Sequence, residues 1–148
     1  METIKIDGEN LSIADIVAVA RDGAKVALGP SARTKIKRSR AWVNQIVQRG
    51  EPVYGINTGF GVFSEQRIPA EDSAKLSRNL ILSHAVGTGE PLSPEIVRAA
   101  LLVRANTFAK GYSGVREVVV DTLIQLLNKG VTPIVPSQGS LGSSGDLG

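Results

Sequence analysis

Apolar residues at helical spacing are the feature of this sequence that most restricts its fold. From Ile13 to Ala20 they recur every three or four positions after Ser12, which predicts a short helix with Ser12 as its N-cap. The chain is therefore expected to be mainly α-helical. The same spacing predicts further helices over residues 31–49, 69–86 and 115–128, and another that starts at Pro94.

Residues that start or stop helices bound these stretches. Ser31 is the expected N-cap of the second helix, and Gly50 is its expected stop. Ser93 before Pro94 is typical of a helix start, because proline at the first helical position has no amide hydrogen that needs a partner. Gly130 predicts the end of the last helix.

Short strands are predicted mainly near the start of the chain. Residues 3–6 alternate polar and apolar side chains before a turn, and residues 25–28 precede a Gly-Pro pair. A third strand is predicted to begin at Val53 and to give way to glycines. Since no internal repeat and no linker divides the sequence, residues 1–148 are expected to form one domain.

Composition excludes several classes of protein. The 148 residues include no cysteine and one histidine, so disulfides and thiolate sites are excluded and no metal site is expected. No apolar run is long enough to cross a membrane, and the first residues lack the apolar stretch of a signal peptide, so we expect a cytoplasmic protein without a membrane partner. The net charge of +3 indicates no particular partner.

Five basic residues crowd the second predicted helix. At 3.6 residues per turn, Arg33, Lys37 and Arg40 share one side, while Lys35 and Arg38 point elsewhere. The charge is therefore spread around the solvated part of a helix. This arrangement favours solubility or subunit contacts over nucleic-acid binding, and no nucleic-acid partner is expected.

The segment from Gly139 to Gly148 has glycine at every third position. Composition alone favours a flexible linker. A phosphate loop is a weaker alternative, because the Lys-Ser/Thr pair of the Walker motif is missing. A hydrolase nucleophile at Ser144 served by His84 is a third, but the Gly-x-Ser-x-Gly elbow and a histidine downstream of it are absent.

Two other segments have ordinary interpretations when each is taken alone. The segment from Tyr54 to Gly61 is typical of a strand that ends in a loose turn, with Tyr54 as a core residue that finds a hydrogen-bond partner. A lone histidine on a helix, such as His84, is more often a satisfied polar or surface residue than a functional one.

Four motifs, in order along the chain, change these interpretations. They are YGINTGFG from Tyr54, SHAVGTGE from Ser83, RANTFAKGYSGVR from Arg104 and PIVPSQGSLGSSGDL from Pro133. Together they resemble the aromatic amino acid ammonia-lyase and aminomutase family over essentially the whole sequence. The resemblance implies the N-terminal portion of a longer chain with the mainly helical, fumarase/aspartase-like fold of these lyases, which assemble as homotetramers.

The last motif resembles the cofactor loop of this family, in which an Ala-Ser-Gly tripeptide cyclises into a methylidene-imidazolone (MIO) without an external cofactor. The resemblance places MIO at Ser143, Ser144 and Gly145. The nitrogen of Gly145 attacks the carbonyl carbon of residue 143, an approach that only glycine allows, and Ser144 then loses its hydroxyl as water. Serine replaces the usual alanine at Ser143, where only the carbonyl enters the ring. Asp146 is expected to hold the loop bent.

The resemblance also implies site residues. Tyr54 is the expected general base on a mobile lid, and nearby positive charge or dipoles must lower its pKa from about 10. Gly59 and Gly61 are expected loop elements that let the lid close. His84 is expected to bind the ring of the substrate, because Ser-His is the form found in family members that act on histidine and in some bacterial tyrosine aminomutases.

The implied reaction is non-oxidative deamination of L-histidine to urocanate and ammonia, in which the α-amino group adds to the methylidene carbon and Tyr54 removes the β-proton. The alternatives are a tyrosine or phenylalanine ammonia-lyase, a 2,3-aminomutase, or an inactive fragment. Because the surrounding protein must compress the loop before it cyclises, we expect residues 1–148 alone to keep an ordinary tripeptide and to lack activity.

Overall fold

The computed structural model of the chain describes residues 3–139, and in that range it is mainly helical, as predicted. The α-helices are α1 (Ile13–Ala20), α2 (Pro30–Arg49), α3 (Ser73–His84), α4 (Pro94–Ala109) and α5 (Glu117–Lys129). The strands are β1 (Thr3–Ile6), β2 (Lys25–Leu28), β3 (Thr88–Pro91) and β4 (Pro136–Gln138). Short 3₁₀ helices cover Gly61–Phe63 and Ala70–Asp72.

The described residues form two compact units. The first comprises the residues up to Trp42 together with Leu92–Ile134. The second comprises Val43–Pro91 together with the described residues from Val135 onward. The boundary after Trp42 falls inside α2 rather than in a linker, so composition alone does not reveal it.

The first unit packs α1, α4, α5 and the first part of α2 with a pair of parallel strands. β1 runs beside β2, with Ile4 opposite Val26. α1 packs on α4, α4 packs on α5, and α5 packs on β2. Full burial of an aliphatic side chain stabilises a fold by roughly 1.5–3 kcal/mol, so this packing holds the unit together. The largest fully buried aliphatic side chains are Ile6, Val19, Ile36, Leu102 and Val120.

The predicted ends of several helices are confirmed. The hydroxyl of Ser12 accepts a hydrogen bond from the amide of Asp15 at 3.2 Å, and the carboxylate of Asp15 accepts one from the amide of Ser12 at 2.9 Å. This capping box explains why α1 begins where it does. Pro94 is the first residue of α4. Gly130 follows α5 in the left-handed conformation, with φ of 69°.

Two predicted helix starts are wrong by one or two residues. α2 begins at Pro30, so Ser31 lies inside its first turn and is not its N-cap. Proline suits this first position because its fixed φ is already helical. α5 begins at Glu117 rather than at residue 115, because Arg116 is still extended, with φ of −70° and ψ of 143°.

Four of the five basic residues that crowd α2 have partners within the first unit. Arg33 forms ion pairs with Glu117 and with Asp121, the latter at 3.0 Å. The Nζ of Lys37 lies 3.4 Å from the Oε2 of Glu117. Carboxylates of this unit therefore offset part of the positive charge of α2. The Nζ of Lys35 lies 3.9 Å from the Oε1 of Glu9, and the guanidinium of Arg40 donates to the carbonyl of Gly114 at 3.3 Å.

The second unit contains α3, the antiparallel strands β3 and β4, and an irregular loop before them. Residues 70–72 form a 3₁₀ helix, so α3 starts at Ser73 and is shorter at both ends than the predicted helix over 69–86. Thr88 pairs with Gln138 across the two strands. No helix among residues 3–139 is long and apolar enough to cross a membrane.

Candidate active site

One buried side chain shapes the tyrosine loop, which we define as residues 51–68. Asn57 is only 7% exposed. Its Oδ1 accepts a hydrogen bond from the amide of Val53 at 2.8 Å, and its Nδ2 donates to the carbonyl of Glu51 at 2.8 Å. The carboxamide thus takes the place of a neighbouring strand. The predicted strand from Val53 is therefore wrong, because a side chain and not a second strand satisfies this backbone.

Tyr54 lies on the outer side of the tyrosine loop. Its side chain is 62% exposed, so it is not the core residue that the segment alone would indicate. Its ring meets the ring of Phe60 edge to face, with 5.8 Å between the centroids and 69° between the planes. Such a contact is worth about 0.5–1.5 kcal/mol beyond simple burial, so it holds the ring from one side while most of the side chain stays accessible.

Gly59 and Gly61 serve the tyrosine loop in different ways. A Cβ at Gly59 would lie 2.6 Å from the Cβ of Phe63 and 2.7 Å from its carbonyl oxygen, so only glycine permits this approach. Gly61 has φ of 58°, a left-handed conformation that glycine adopts without strain, and it begins a 3₁₀ helix. Their part in lid closure stays a prediction.

The far end of the tyrosine loop is tied back to its centre. The amide of Ile68 donates to the carbonyl of Asn57 at 2.8 Å, and the amide of Gly59 donates to the carbonyl of Gln66 at 2.9 Å. Thr58 and Arg67 form an isolated bridge between the same two stretches. The loop is therefore compact, and any lid movement has to carry these bonds as a unit.

A groove of about 350 Å³ lies between the tyrosine loop and α3. Phe60 and Phe63 line it from the loop, and Leu76 and Leu80 line it from the helix. Its volume falls within the range of small-molecule sites, and its apolar walls suit the ring of an aromatic amino acid.

His84 is the last residue of α3 and lies one turn beyond Leu80. Its Nδ1 is 2.9 Å from the carbonyl oxygen of Leu80 and 2.9 Å from the Oγ of Ser83. The hydroxyl of Ser83 donates to the same carbonyl at 3.0 Å. Since a carbonyl oxygen can only accept, we assign the hydrogen to Nδ1, and in the neutral ring Nε2 is then an acceptor.

The strand pair β3–β4 joins the stretch that follows His84 to the last described residues of the chain. Thr88 lies four residues after His84 and pairs with Gln138. Gly89 has φ of 84°, and a Cβ there would lie 2.8 Å from the Oγ of Ser137, so the two strands approach closely. The four residues predicted to form and support MIO lie outside the described part of the chain: Ser143, Ser144, Gly145 and Asp146.

The described residues 3–139 contain no cluster of His, Asp and Glu side chains able to hold a metal ion. The structure does place Phe60, which supports Tyr54, and Leu80, which precedes His84, in the walls of one groove. The residue that packs against Tyr54 and the residue one turn before His84 therefore line the same groove.

Comparison with known proteins decides the family. The model of the aromatic amino acid lyases matches residues 11–148. A histidine ammonia-lyase of Anaeromyxobacter sp. (strain K) is 52% identical over 147 residues, which are 99% of this chain and 29% of that protein. The chain belongs to the aromatic amino acid lyase family. This is the MIO-dependent lyase family, and the chain spans about three tenths of the length of the curated relatives it matches.

Solved structures of related enzymes have the same fold as this lyase chain. The ergothioneine-degrading enzyme ergothionase from Treponema denticola is 29% identical, with a TM-score of 0.90 over 94% of this chain and 28% of that one. A tyrosine aminomutase from Streptomyces globisporus is 33% identical, with a TM-score of 0.88 over 93% of this chain and 26% of that one. The predicted fold class is therefore confirmed.

Sequence reasoning missed three residues that shape the site of this lyase chain. Asn57 and Thr58 are buried polar residues, at 7% and 2% exposure, and Phe60 supports the ring of Tyr54. An Asn-Thr pair between two glycines is a signal for side chains that bond to their own loop, and it could have pointed to the first two. Nothing in the spacing of the sequence predicts the contact between the rings of Phe60 and Tyr54, because that contact depends on how the chain turns between them.

Proposed function

We propose that a full-length lyase carrying this chain deaminates L-histidine to urocanate and ammonia. The observation that carries the proposal is the 52% identity to a histidine ammonia-lyase across 99% of the chain. The reaction breaks the Cα–N bond and one Cβ–H bond and forms a Cα=Cβ double bond. It therefore needs a base at the β-carbon and an amino group that has become a leaving group.

Tyr54 is the proposed base. Its exposed side chain stands on a loop whose backbone Asn57 fixes, and its ring leans on Phe60 at the groove. A phenolate is basic enough to take a weakly acidic β-proton, provided that it lies within hydrogen-bond reach of the substrate carbon. The tyrosine loop, with Gly59 and Gly61, is proposed to close over the substrate and exclude water.

The proposed source of the electrophile is MIO formed from Ser143, Ser144 and Gly145. The residue types fit this chemistry. Gly145 permits the close backbone approach, Ser144 supplies the hydroxyl that leaves as one water, and Ser143 contributes only its carbonyl carbon to the ring and loses the oxygen as a second water. The finished group supplies an electrophilic carbon that turns the amino group of the substrate into a leaving group. Asp146 is proposed to keep this segment bent before it cyclises.

His84 is proposed to bind the ring of the substrate. The hydrogen bond between its Nδ1 and the carbonyl of Leu80 holds the imidazole at the end of α3. An imidazole side chain can form hydrogen bonds with the imidazole or the phenol of a substrate, but not with a phenyl ring. This chemistry supports histidine or tyrosine as the substrate rather than phenylalanine.

A tyrosine 2,3-aminomutase is the second candidate, because the aminomutase structure from Streptomyces globisporus matches this chain with a TM-score of 0.88. An aminomutase would return the amine to the β-carbon after the same elimination. For the full-length enzyme of either kind we propose a cytoplasmic homotetramer. Residues 1–148 alone are proposed to be inactive.

A substrate panel tests the proposal. Full-length enzyme is incubated with L-histidine, L-tyrosine and L-phenylalanine, and we expect the ultraviolet absorbance of urocanate to rise with histidine. His84→Phe should lower kcat/KM for histidine by roughly tenfold or more, because a hydrogen bond to the substrate ring is lost, and should shift preference towards phenylalanine. An unchanged preference would remove His84 from this role, and a β-amino acid product would assign the enzyme as an aminomutase.

Intact mass spectrometry tests the cofactor. Ring closure releases the carbonyl oxygen of Ser143 as one water and the side chain of Ser144 loses a second, so the full-length protein should be lighter than its sequence by two waters. Residues 1–148 produced alone should have the unmodified mass. A full-length protein that is active at its unmodified mass would contradict the assignment of MIO to Ser143, Ser144 and Gly145.

A further inference from the structure

The amide side chain of Asn57 binds the backbone that precedes the proposed base. Asn57 follows Tyr54 by three positions, yet its carboxamide binds the backbone of Val53 and Glu51, which precede Tyr54, at 2.8 Å each. Its own carbonyl accepts from the amide of Ile68 at 2.8 Å. One buried residue therefore joins three stretches of the tyrosine loop around one exposed tyrosine.

The backbone on either side of Tyr54 is fixed by these bonds. The amides of Ile56 and Asn57 donate to the carbonyl of Val53 at 3.0 and 3.3 Å. Gly55 has φ of 77°, so the chain reverses directly after Tyr54. A side chain that is 62% exposed keeps its direction only if the backbone beneath it is held, and here hydrogen bonds hold it.

Apolar packing does not replace these bonds. Every aliphatic side chain that the structure describes as buried belongs to the first unit. The buried side chains of the second unit, within its described residues, are the polar Asn57 and Thr58. The hydroxyl of Thr58 makes the weaker contribution, since it accepts from the amide of Gly55 at 3.4 Å and otherwise donates to the neighbouring carbonyl of Gly59.

We propose that Asn57 is a positioning residue for Tyr54, and that its amide sets the backbone so that the phenol meets the β-carbon of the substrate. The inference rests on the proposed role of Tyr54 as the base. A misplacement of about 1 Å in a reacting group costs on the order of a hundredfold in rate, so a loop anchor can control turnover without touching the substrate.

Asn57→Ala and Asn57→Asp in the full-length enzyme test the inference. The first removes both side-chain bonds, and the second keeps the acceptor for Val53 but cannot donate to Glu51. Asn128→Asp is the matched control. The Oδ1 of Asn128 accepts from the amide of Val26 at 2.8 Å and its Nδ2 donates to the carbonyl of Val26 at 2.8 Å, in the first unit.

We expect both Asn57 variants to lose roughly tenfold to a hundredfold in kcat with little change in KM for histidine. Their intact mass should still be two waters below the sequence mass, which shows that cofactor formation is unaffected. Asn57→Asp should also move the acid limb of the kcat profile to higher pH, because a carboxylate near Tyr54 raises the pKa of the phenol. Asn128→Asp should lower the melting temperature but leave kcat and the profile unchanged.

Two outcomes separate this inference from the proposed function. If Tyr54→Phe is inactive while Asn57→Asp retains the kcat and pH profile of Asn128→Asp, Asn57 only supports the fold and the inference is wrong. If Tyr54→Phe keeps parental activity, the assignment of the base fails instead. Should Asn57→Ala not fold, Asn57→Asp alone decides, since it preserves the shape of the side chain.

Discussion

Different interactions stabilise the interior of each of the two units. In the first, aliphatic side chains from Ile6 to Leu127 are buried between helices and strands. In the described part of the second, the buried side chains are Asn57 and Thr58, and α3 has no buried residue. Apolar burial needs only a periodic pattern, whereas hydrogen bonds need specific partners. The candidate site residues Tyr54 and His84 lie in the second unit, where directional bonds set the geometry.

The largest effect expected from this difference is on stability. Leu102 is completely buried, so Leu102→Ala should lower the free energy of unfolding by about 2–5 kcal/mol through lost burial and a cavity. Leu82, on α3, is 60% exposed, and Leu82→Ala should cost less than about 0.5 kcal/mol. Urea unfolding of both variants measures the difference. Equal losses would show that the second unit relies on apolar packing as well.

The next effect is on turnover. Tyr54→Phe keeps the edge contact with Phe60 and deletes a hydroxyl from an exposed side chain, so stability should be unchanged while kcat falls by roughly a hundredfold or more. Tyr112, in the first unit, is 87% exposed and provides the matched control. Tyr112→Phe should retain parental kcat. Full activity in the Tyr54 variant would leave Tyr54 as a surface residue.

The predictions from the sequence were also more accurate in the first unit than in the second. In the first unit, strands, caps and helix stops were read from local patterns, and Ser12, Pro94 and Gly130 have the predicted positions. The predicted N-cap at Ser31 is wrong, because α2 begins one residue earlier, at Pro30, and proline is as good a helix start as a capping serine. Local rules suffice here because each element buries a face with its own period.

In the second unit local patterns failed where a side chain replaced a backbone partner. Val53 begins an apolar stretch typical of a strand, but its amide bonds to Asn57, and no periodicity encodes such a bond. The segment taken alone placed Tyr54 in the core, and the family resemblance assigned it to the site. Its 62% exposure excludes the core interpretation, while its chemical role and those of Ser144 and His84 stay predictions.

The smallest expected effect is on the dependence of stability on pH. It distinguishes a turn held by the carboxylate of Asp7 from a loop held by the amide side chain of Asn57. In the first unit, Asp7 accepts hydrogen bonds from the amides of Glu9 and Asn10 at 2.8 and 3.0 Å and from the side chain of Asn10 at 2.6 Å. The two amides, followed by the Asn10 side chain, lower the pKa of Asp7 from 3.8 to about 2. A folded pKa below the unfolded value means that the contribution of Asp7 to stability is present above pH 3.8 and is lost as the pH falls through 2.

Asn57 has no such proton to gain, so its bond to Val53 should persist over the same range. In an NMR titration from about pH 5 to about pH 2, the amide signals of Glu9 and Asn10 should shift with a midpoint near the low end, while the amide of Val53 should not move with them. Asp7→Asn keeps an oxygen acceptor but has no ionisable group, so in this variant the amide signals of Glu9 and Asn10 should not titrate. A midpoint near the ordinary value for aspartate would show that the turn does not hold Asp7 ionised. Simultaneous movement of the Val53 amide signal would show that the loop held by Asn57 depends on the turn held by Asp7.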